Sequence, residues 1–324
     1  MKIKELKIGH FRNLSHQHLK FSDFTAIVGE NGSGKSTILE VIAVLAMDIE
    51  DKSLEFEGIF EDSNGELISM DMKSVQLEHV PLKYFTSDRF INESSNIYCF
   101  HLKESLDKFT SIARDLFQIL GKNLVKVDNR QGYLFFTFSD SSAVSLNNLG
   151  EGCRVFLSTI RDLLIVLEKE DLKPIVLIDE LEIHFHPLVH RTLVEILKKY
   201  FSELQIIITT NSPVLISQLS KEEIRIIDKD SEVISCEYHT FGSDANKLLR
   251  LVFDTDERPS DVKKLFEQFS FLIADRNFPE AKEVLSRLKS IVGELDSEIV
   301  SCQVTLDLEQ LDEKCFGDKH KKKK

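Results

Sequence analysis

Lys35 sits within Gly29-Glu30-Asn31-Gly32-Ser33-Gly34-Lys35-Ser36-Thr37, a run that satisfies G-x-x-x-x-G-K-[ST]. Glycines at these positions let the backbone curl so that successive N–H groups point inward, the geometry that cradles α- and β-phosphates. Lys35 would then reach the β- and γ-phosphates, and the Ser36 hydroxyl would ligate Mg²⁺. A second pair of groups could complete this chemistry. Pro174-Ile175-Val176-Leu177-Ile178-Asp179-Glu180 is an apolar run that ends in two adjacent carboxylates. Asp179 would hold Mg²⁺, directly or through water, and Glu180 would polarise an attacking water. An apolar run ending in Asp-Glu is a weak signal by itself. It gains weight from following a phosphate-binding loop and preceding another apolar run, Gln205-Ile206-Ile207-Ile208-Thr209-Thr210. These residues predict binding of a nucleoside triphosphate with a divalent cation.

The elements that must position them read as an α/β fold. Phe24-Thr25-Ala26-Ile27-Val28 reads as a buried strand before the loop. Residues 37–46 are apolar enough for a core helix, whose N-terminus adds partial positive charge at the phosphates. From residue 150 the pattern runs helix 153–167, strand 174–180, helix 188–200, strand 205–210. That alternation predicts a mainly parallel sheet with helices on its faces and ligands at the carboxyl ends of its strands. The opening, residues 2–14, reads as an edge strand and turn, with a second strand around 18–21. Further β-like runs fall at 67–72, 75–80 and 82–86. An amphipathic helix is expected over 101–120, and a β pair at 124–127 and 133–138 around the turn 129–132. From Ser243 onward only helices are expected: 244–253, 261–274, 279–292 and 296–308. The predicted organisation is a nucleotide-binding domain over 1–242, a helical module over 243–318 and a basic tail over 319–324.

Composition narrows the class. The 324 residues carry a net charge of −13, so the surface as a whole repels nucleic acid, and contact with it would need a local basic patch. Lys319-His320-Lys321-Lys322-Lys323-Lys324 is the basic run, read as a solvated tail. Cys99, Cys153, Cys236, Cys302 and Cys315 are scattered without a C-x-x-C pair, which suits reduced thiols in the cytoplasm. No apolar run approaches membrane-spanning length, and the polar opening strand does not read as a signal peptide, so no membrane role is expected. His184, His186 and His190 have an H-x-H-x-x-x-H spacing that could supply metal ligands. The plainer reading places the first two in a loop and the third on the following helix.

Leu149-Gly150-Glu151-Gly152-Cys153-Arg154 puts a glycine turn directly before a helix, between the phosphate loop and Asp179-Glu180. With this stretch, and with Thr209-Thr210-Asn211-Ser212-Pro213 after it, the ordered motifs resemble the ABC-type ATPase head. More narrowly, they resemble its RecF/SMC-like, overcoming-lysogenization-defect branch. Phe11-Arg12-Asn13-Leu14, the phosphate loop and Asp179-Glu180-Leu181-Glu182-Ile183-His184-Phe185-His186-Pro187 carry the likeness, which covers roughly residues 1–240. It implies a P-loop head with a mixed sheet and an N-terminal antiparallel β part, followed by the helical module. It also implies ATP and Mg²⁺ as cofactors, with Ser36 and Asp179 on the metal. Arg12, Asn31, Gly32, Ser33, Gly34, Lys35, Ser36 and Thr37 would bind the nucleotide, and Glu180 and Asn211 would be catalytic. In that class a signature loop, here Gly150, Glu151 and Gly152, contacts the γ-phosphate bound to the opposite subunit, and residues 181–186 form the D-loop lining the same interface. Two positions depart from the pattern: Gly150 stands where serine is usual, and Asn211 where histidine is typical. Asparagine can hydrogen-bond a phosphate or water but carries no proton charge, so slow hydrolysis is expected. No Q-loop glutamine is evident, and residues 85–89, near that junction, receive no role.

The helical part, through Phe241-Gly242-Ser243-Asp244-Ala245-Asn246, Asp256-Glu257-Arg258-Pro259 and Phe278-Pro279-Glu280-Ala281-Lys282, resembles small bacterial ATPases encoded beside an HNH-type nuclease. These are the Septu-like and retron-linked antiviral modules. That likeness implies a homodimer or higher homo-oligomer that regulates a nuclease partner, with nucleic acid reached directly or through it. The competing expectation is a RecF-like DNA-repair ATPase that binds DNA on the closed dimer. A transporter subunit does not suit the opening strand, the D-loop run or the helical end. Neither a second carboxylate constellation nor a TOPRIM-like segment suggests a nuclease in this chain.

Overall fold

The computed structural model describes the chain except residues 47–55, 63, 72–80, 87–99, 101, 131–132, 170–172, 229–230, 257 and 322–324. In chain order its elements are β1 (Lys2–Phe11), β2 (Leu14–Lys20), β3 (Phe24–Gly29), α1 (Lys35–Ala46), β4 (Phe56–Glu61), β5 (Leu67–Asp71) and β6 (Leu82–Phe85). There follow α2 (Lys103–Ile119), β7 (Leu124–Arg130), β8 (Tyr133–Phe138), β9 (Ala143–Ser145), α3 (Glu151–Lys169), β10 (Ile175–Ile178), α4 (Pro187–Tyr200) and β11 (Gln205–Thr210). The remainder is α5 (Pro213–Ile216), β12 (Ile224–Ile227), β13 (Val233–Ser235), α6 (Ala245–Phe253), α7 (Ser260–Ala274), α8 (Phe278–Val292) and α9 (Ser297–Lys321). The expected strand over 75–80, residues 87–89 and the turn residues 131–132 lie outside the described residues.

Strands with no polar alternation are buried on both faces, and here they form the central sheet. Its order is β13-β12-β3-β11-β10-β6, parallel except for the edge strand β13. Alternate residues divide between two cores. Ile27, Ile175, Leu177, Ile207 and Ile227 join α1 and the N-terminal strands, whereas Val28, Val176, Ile178, Ile206 and Ile208 join α3 and α4. The second sheet is antiparallel, ordered β2-β1-β4-β5. The edge strand expected at 2–14 is therefore an interior strand: β1 pairs with β2 on one side and with β4 on the other. β4 was not recognised in the sequence, and it is the partner that covers that edge.

Helix α1 contributes Ile38, Leu39, Val41, Ile42 and Leu45 to the core it shares with β1, β2 and β4. A helix this apolar on successive positions must be covered on several sides, and the antiparallel strands do so. The third sheet, β7-β8-β9, is backed by α2, with Phe117 edge-on to Phe138 at 5.0 Å between ring centroids.

The chain divides by its contacts into Met1–Asp254 and Thr255–Lys324. The boundary expected at 242/243 moves because α6 is amphipathic and places Leu248, Val252 and Phe253 in the first unit's core. In the second unit, α7, α8 and α9 bury Phe266, Phe269, Leu272, Leu285, Leu288 and Ile299 against one another. Arg258 holds both carboxylate oxygens of Asp296, at 2.8 and 2.9 Å. Helix α9 continues past the expected end at 308 to Lys321 because the intervening residues are mostly strong helix formers without proline. The basic run therefore begins on a helix; residues 322–324 lie outside the described set. Among the described residues no helix is long and apolar enough to cross a membrane.

Side chains tie the antiparallel sheet to the central one, Gln17 of β2 accepting the Val233 N–H of β13 and Arg225 of β12 donating to the Lys20 carbonyl of β2. Gln205, buried at the start of β11, accepts from the Ile3 N–H at 2.7 Å and donates to the carbonyls of Ile3 and Ser22 at 2.8 and 3.0 Å. Leucine there would strand buried backbone groups, so Gln205→Leu is expected to lower unfolding stability by about 3 kcal/mol. Urea denaturation followed by far-UV circular dichroism would measure it.

Candidate nucleotide-binding site

The carboxyl ends of β3, β11 and β10 lie side by side, with β11 in the middle. Thr209, at the end of β11, reaches both neighbouring functions. Its hydroxyl donates to Asp179 Oδ1 and accepts the Glu180 N–H at 2.7 Å. From the opposite side the Ser36 hydroxyl, in the first turn of α1, donates to the same Asp179 oxygen at 3.0 Å. The backbone N–H of Asp179 donates to the Phe85 carbonyl at the end of β6. One strand and one helix thus bond a single carboxylate oxygen, and a second strand holds its backbone.

The phosphate loop is held in its curl by backbone that only glycine adopts comfortably: Gly32 has φ 80° and Gly34 φ 112°. Gly34 is constrained a second way, since a Cβ there would stand 3.0 Å from Leu14 and 3.1 Å from the Asn13 amide nitrogen. Asn13, in the β1–β2 turn, donates to the Ser33 carbonyl at 2.9 Å and so braces the loop. Lys35 is buried, 5% exposed, and its ammonium donates to the carbonyls of Gly29 and Glu30 at 3.0 and 2.8 Å. Burial pulls the Lys35 pKa down, and the nearby charges of Glu180, Asp179 and Glu182 act to raise it.

Three carboxylates around one lysine leave this pocket negative before any triphosphate arrives, so a divalent cation fits its electrostatics. The Ser36 hydroxyl and Asp179 carboxylate are hard oxygen donors of the kind Mg²⁺ takes. Among the described residues no cluster of three His, Cys, Asp or Glu could hold a metal alone. A Mg²⁺ held by one carboxylate and one hydroxyl is the usual arrangement where phosphates complete the shell.

After Asp179 the chain turns sharply, with left-handed backbone at Glu180 (φ 48°) and His184 (φ 66°). This loop brings Glu182 beneath residue 211: its Oε1 accepts the Asn211 N–H at 2.7 Å. Asn211 in turn donates its side-chain N–H to Asn31 Oδ1 at 2.6 Å, joining the switch position to the phosphate loop. Glu182 also forms a hydrogen bond with the Thr210 side chain, whereas Asn211 Oδ1 and Ser33 Oγ are shielded from solvent without a partner among the described residues. Burial pushes the Glu182 carboxyl above the usual range, and the bond from Asn211 opposes it.

The glycine turn at 149–152 behaves differently at its two glycines. Gly150 is exposed, with open space where a Cβ would be. Gly152 lies in the first turn of α3, where a Cβ would come 2.7 Å from the His184 carbonyl. His184 Nδ1 is 3.6 Å from a Glu151 carboxylate oxygen, and Phe185 packs edge-on against Phe156 of α3. The turn and the 181–186 loop are therefore one packed unit.

The structure brings together Asn31, Lys35, Ser36, Asp179, Glu180 and Asn211. Arg12 stacks over Phe11 and pairs with Glu40 of α1 at 2.7 Å. The three histidines go separate ways: His184 to Glu151, His186 as the cap of α4, and His190 inward onto Ser212. Asn13, Thr209 and Glu182 were not singled out from sequence. Each is a polar residue inside a stretch that was, and a carboxylate two residues beyond Glu180 was the clearest hint.

Comparison with known proteins agrees with this geometry. Residues 76–217 match the family described as "AAA domain, putative AbiEii toxin, Type IV TA system", and residues 1–102 match "AAA ATPase domain". The chain is 27% identical over 164 residues to "Retron Vc95 probable ATPase" of Vibrio cholerae serotype O1 biovar El Tor, covering 46% of this chain and 32% of that protein. It is 23% identical over 341 residues to "Septu protein PtuA" of Bacillus mycoides (strain KBAB4), covering 84% of this chain and 48% of that one. The chain thus spans half or less of the length of these relatives. Its fold is that of the SMC head domain from Thermotoga maritima, with a TM-score of 0.51 at 17% identity, covering 74% of this chain and all of that one. The fold is therefore that of an SMC head, and the chain is similar to AAA-type ATPase families and to proteins named as a retron ATPase and a Septu protein.

The contrast at the glycine turn is testable. Gly152→Ala is expected to cost about 2 kcal/mol because a backbone carbonyl must give way. Gly150→Ala is expected to stay within about 0.5 kcal/mol of the parent. Thermal melts of the two variants side by side would show it.

Proposed function

We propose that this protein binds ATP–Mg²⁺ in the pocket around Lys35, closes head to head with a second copy, and hydrolyses the nucleotide slowly to regulate a partner effector. The observation that carries the reading is the convergence on Asp179. The phosphate loop's Ser36 and the β11 residue Thr209 bond one carboxylate oxygen, and Thr209 also fixes the backbone of Glu180. That arrangement sets a metal-binding oxygen pair beside a carboxylate able to orient water.

Each residue has a task in this reading. Lys35 offsets phosphate charge, and the loop N–H groups and the start of α1 cradle the phosphates. Ser36 and Asp179 would hold Mg²⁺, which supplies charge neutralisation at the phosphoryl group. Glu180 orients the attacking water, and Asn211, beside Asn31, closes the site over it. Asparagine supplies hydrogen bonds without a titratable proton, which supports slow turnover. The exposed Gly150 at the start of α3 supports a surface that meets another molecule's nucleotide, in the manner of a signature loop.

The relatives named as a retron ATPase and a Septu protein support a place in antiviral defence, and the effector we assign is an HNH-type nuclease. Direct grip on nucleic acid is not part of this reading, because 54 acidic residues outweigh 41 basic ones.

Two substitutions test the assignment. Lys35→Ala leaves the carboxylates facing the triphosphate without their cation and is expected to weaken ATP affinity roughly a hundredfold. Glu180→Gln is expected to keep ATP affinity while lowering turnover on the order of a hundredfold. With turnover blocked, light scattering should show a shift from monomer to dimer on addition of ATP–Mg²⁺. Unchanged ATP affinity in the first variant, or wild-type turnover in the second, would remove the corresponding role.

A further inference from the structure

The loop from Leu181 to His186 is tied to the residues around Asn211 from two directions. At its start, Glu182 Oε1 accepts the Asn211 backbone N–H at 2.7 Å. At its end, the Phe185 carbonyl lies 3.2 Å from His190 Nε2, while His190 Nδ1 lies 2.7 Å from the Ser212 hydroxyl. A carbonyl only accepts, so His190 Nε2 is the donor to Phe185. The Ser212 oxygen also accepts the Leu215 N–H at 3.2 Å and so caps α5. Asn211 is the residue between these ties, and its side chain reaches the phosphate loop at Asn31. The other end of the system is the glycine turn, because the His184 carbonyl lies against Gly152 and His184 faces Glu151.

We infer that Glu182 is a positioning residue for Asn211, transmitting the placement of the 181–186 loop to the side chain that closes over the phosphate site. The inference rests on the reading that this pocket hydrolyses ATP. Glu182 is bonded to this stretch twice, accepting the Asn211 N–H and meeting the Thr210 side chain in a second hydrogen bond. Contact of the glycine turn with another molecule would reach Asn211 through His184, Glu182 and one backbone hydrogen bond.

The test is steady-state ATPase kinetics and nucleotide titration on the full chain, with thermal melts to confirm folding. Glu182→Ala is expected to lower kcat about tenfold or more and to leave ATP affinity within about threefold, because Lys35, Ser36 and the backbone held by Asn13 keep their own hydrogen bonds. Glu182→Gln keeps an oxygen to accept the Asn211 N–H and should return kcat to within about threefold of wild type. The double variant Glu182→Ala/Asn211→Ala should be no slower than Asn211→Ala alone, since both changes remove one action. Wild-type kcat in Glu182→Ala, losses that multiply in the double variant, or a fall in affinity equal to that in kcat would each overturn the inference. If Glu182→Ala fails to fold, Glu182→Asp takes its place: the shorter side chain should lose rate where glutamine keeps it, and the reverse order overturns the inference. Absence of turnover in the wild type would overturn the hydrolysis reading along with it, whereas turnover indifferent to Glu182 would overturn this inference alone.

Discussion

The bonds that converge on one oxygen of Asp179 govern the rest of the pocket. Ser36 arrives from the helix after β3, and Thr209 from the end of β11. Both reach the same atom because β11 lies between β3 and β10 in the sheet. A different strand order would send the metal-binding residues to separate places, however intact each motif remained. The two cores on the sheet faces serve this arrangement: each strand end is fixed because alternate side chains are buried above and below it. Close packing of that kind turns small local geometry into a rigid platform.

Charge imposes a second constraint. Lys35 is buried among backbone carbonyls, and Asp179, Glu180 and Glu182 all act on it. Its desolvation is offset by two hydrogen bonds and by those carboxylates. A triphosphate without a cation would meet a net negative pocket, whereas a triphosphate with Mg²⁺ brings its own compensation. The loop is therefore organised around its lysine before ligand arrives, and selectivity for the metal complex follows from the balance of acids and base.

Much of this was legible in the sequence where chemistry and local pattern coincide. The phosphate loop announces itself because its glycines answer a backbone demand, seen in the positive φ of Gly32 and Gly34. The runs ending at Asp179 and Thr210 were legible because strands covered on both faces need unbroken apolar sequence. What escaped was set by distant partners. β1 looked like an edge because its second neighbour, β4, is separated from it by β2, β3 and α1. The membership of α6 depends on where its apolar face is buried, which periodicity alone does not say. Thr209 and Glu182 escaped because their meaning lies in register: Thr209 pairs with Ile27 across the sheet, and Glu182 meets Asn211 only after the turn at Glu180.

The position of β11 also has a consequence for how the chain is made. β3, which leads into the phosphate loop, pairs with β11 and β12. Ile27 pairs with Thr209 and Arg225, so a chain growing from its amino terminus carries the complete loop sequence long before that loop has a sheet to stand on. During that interval Phe24, Ile27 and Val28 are an apolar segment without a lattice, and nucleotide has no preformed cradle to reward. Such non-local pairing slows folding and prolongs exposure of strand edges. The antiparallel pairing of β1 with β2 and β4 is by contrast available early, and it covers α1 while the central sheet is awaited. The amino-terminal strands thus act as a provisional shelter for the helix that will later present Lys35 and Ser36.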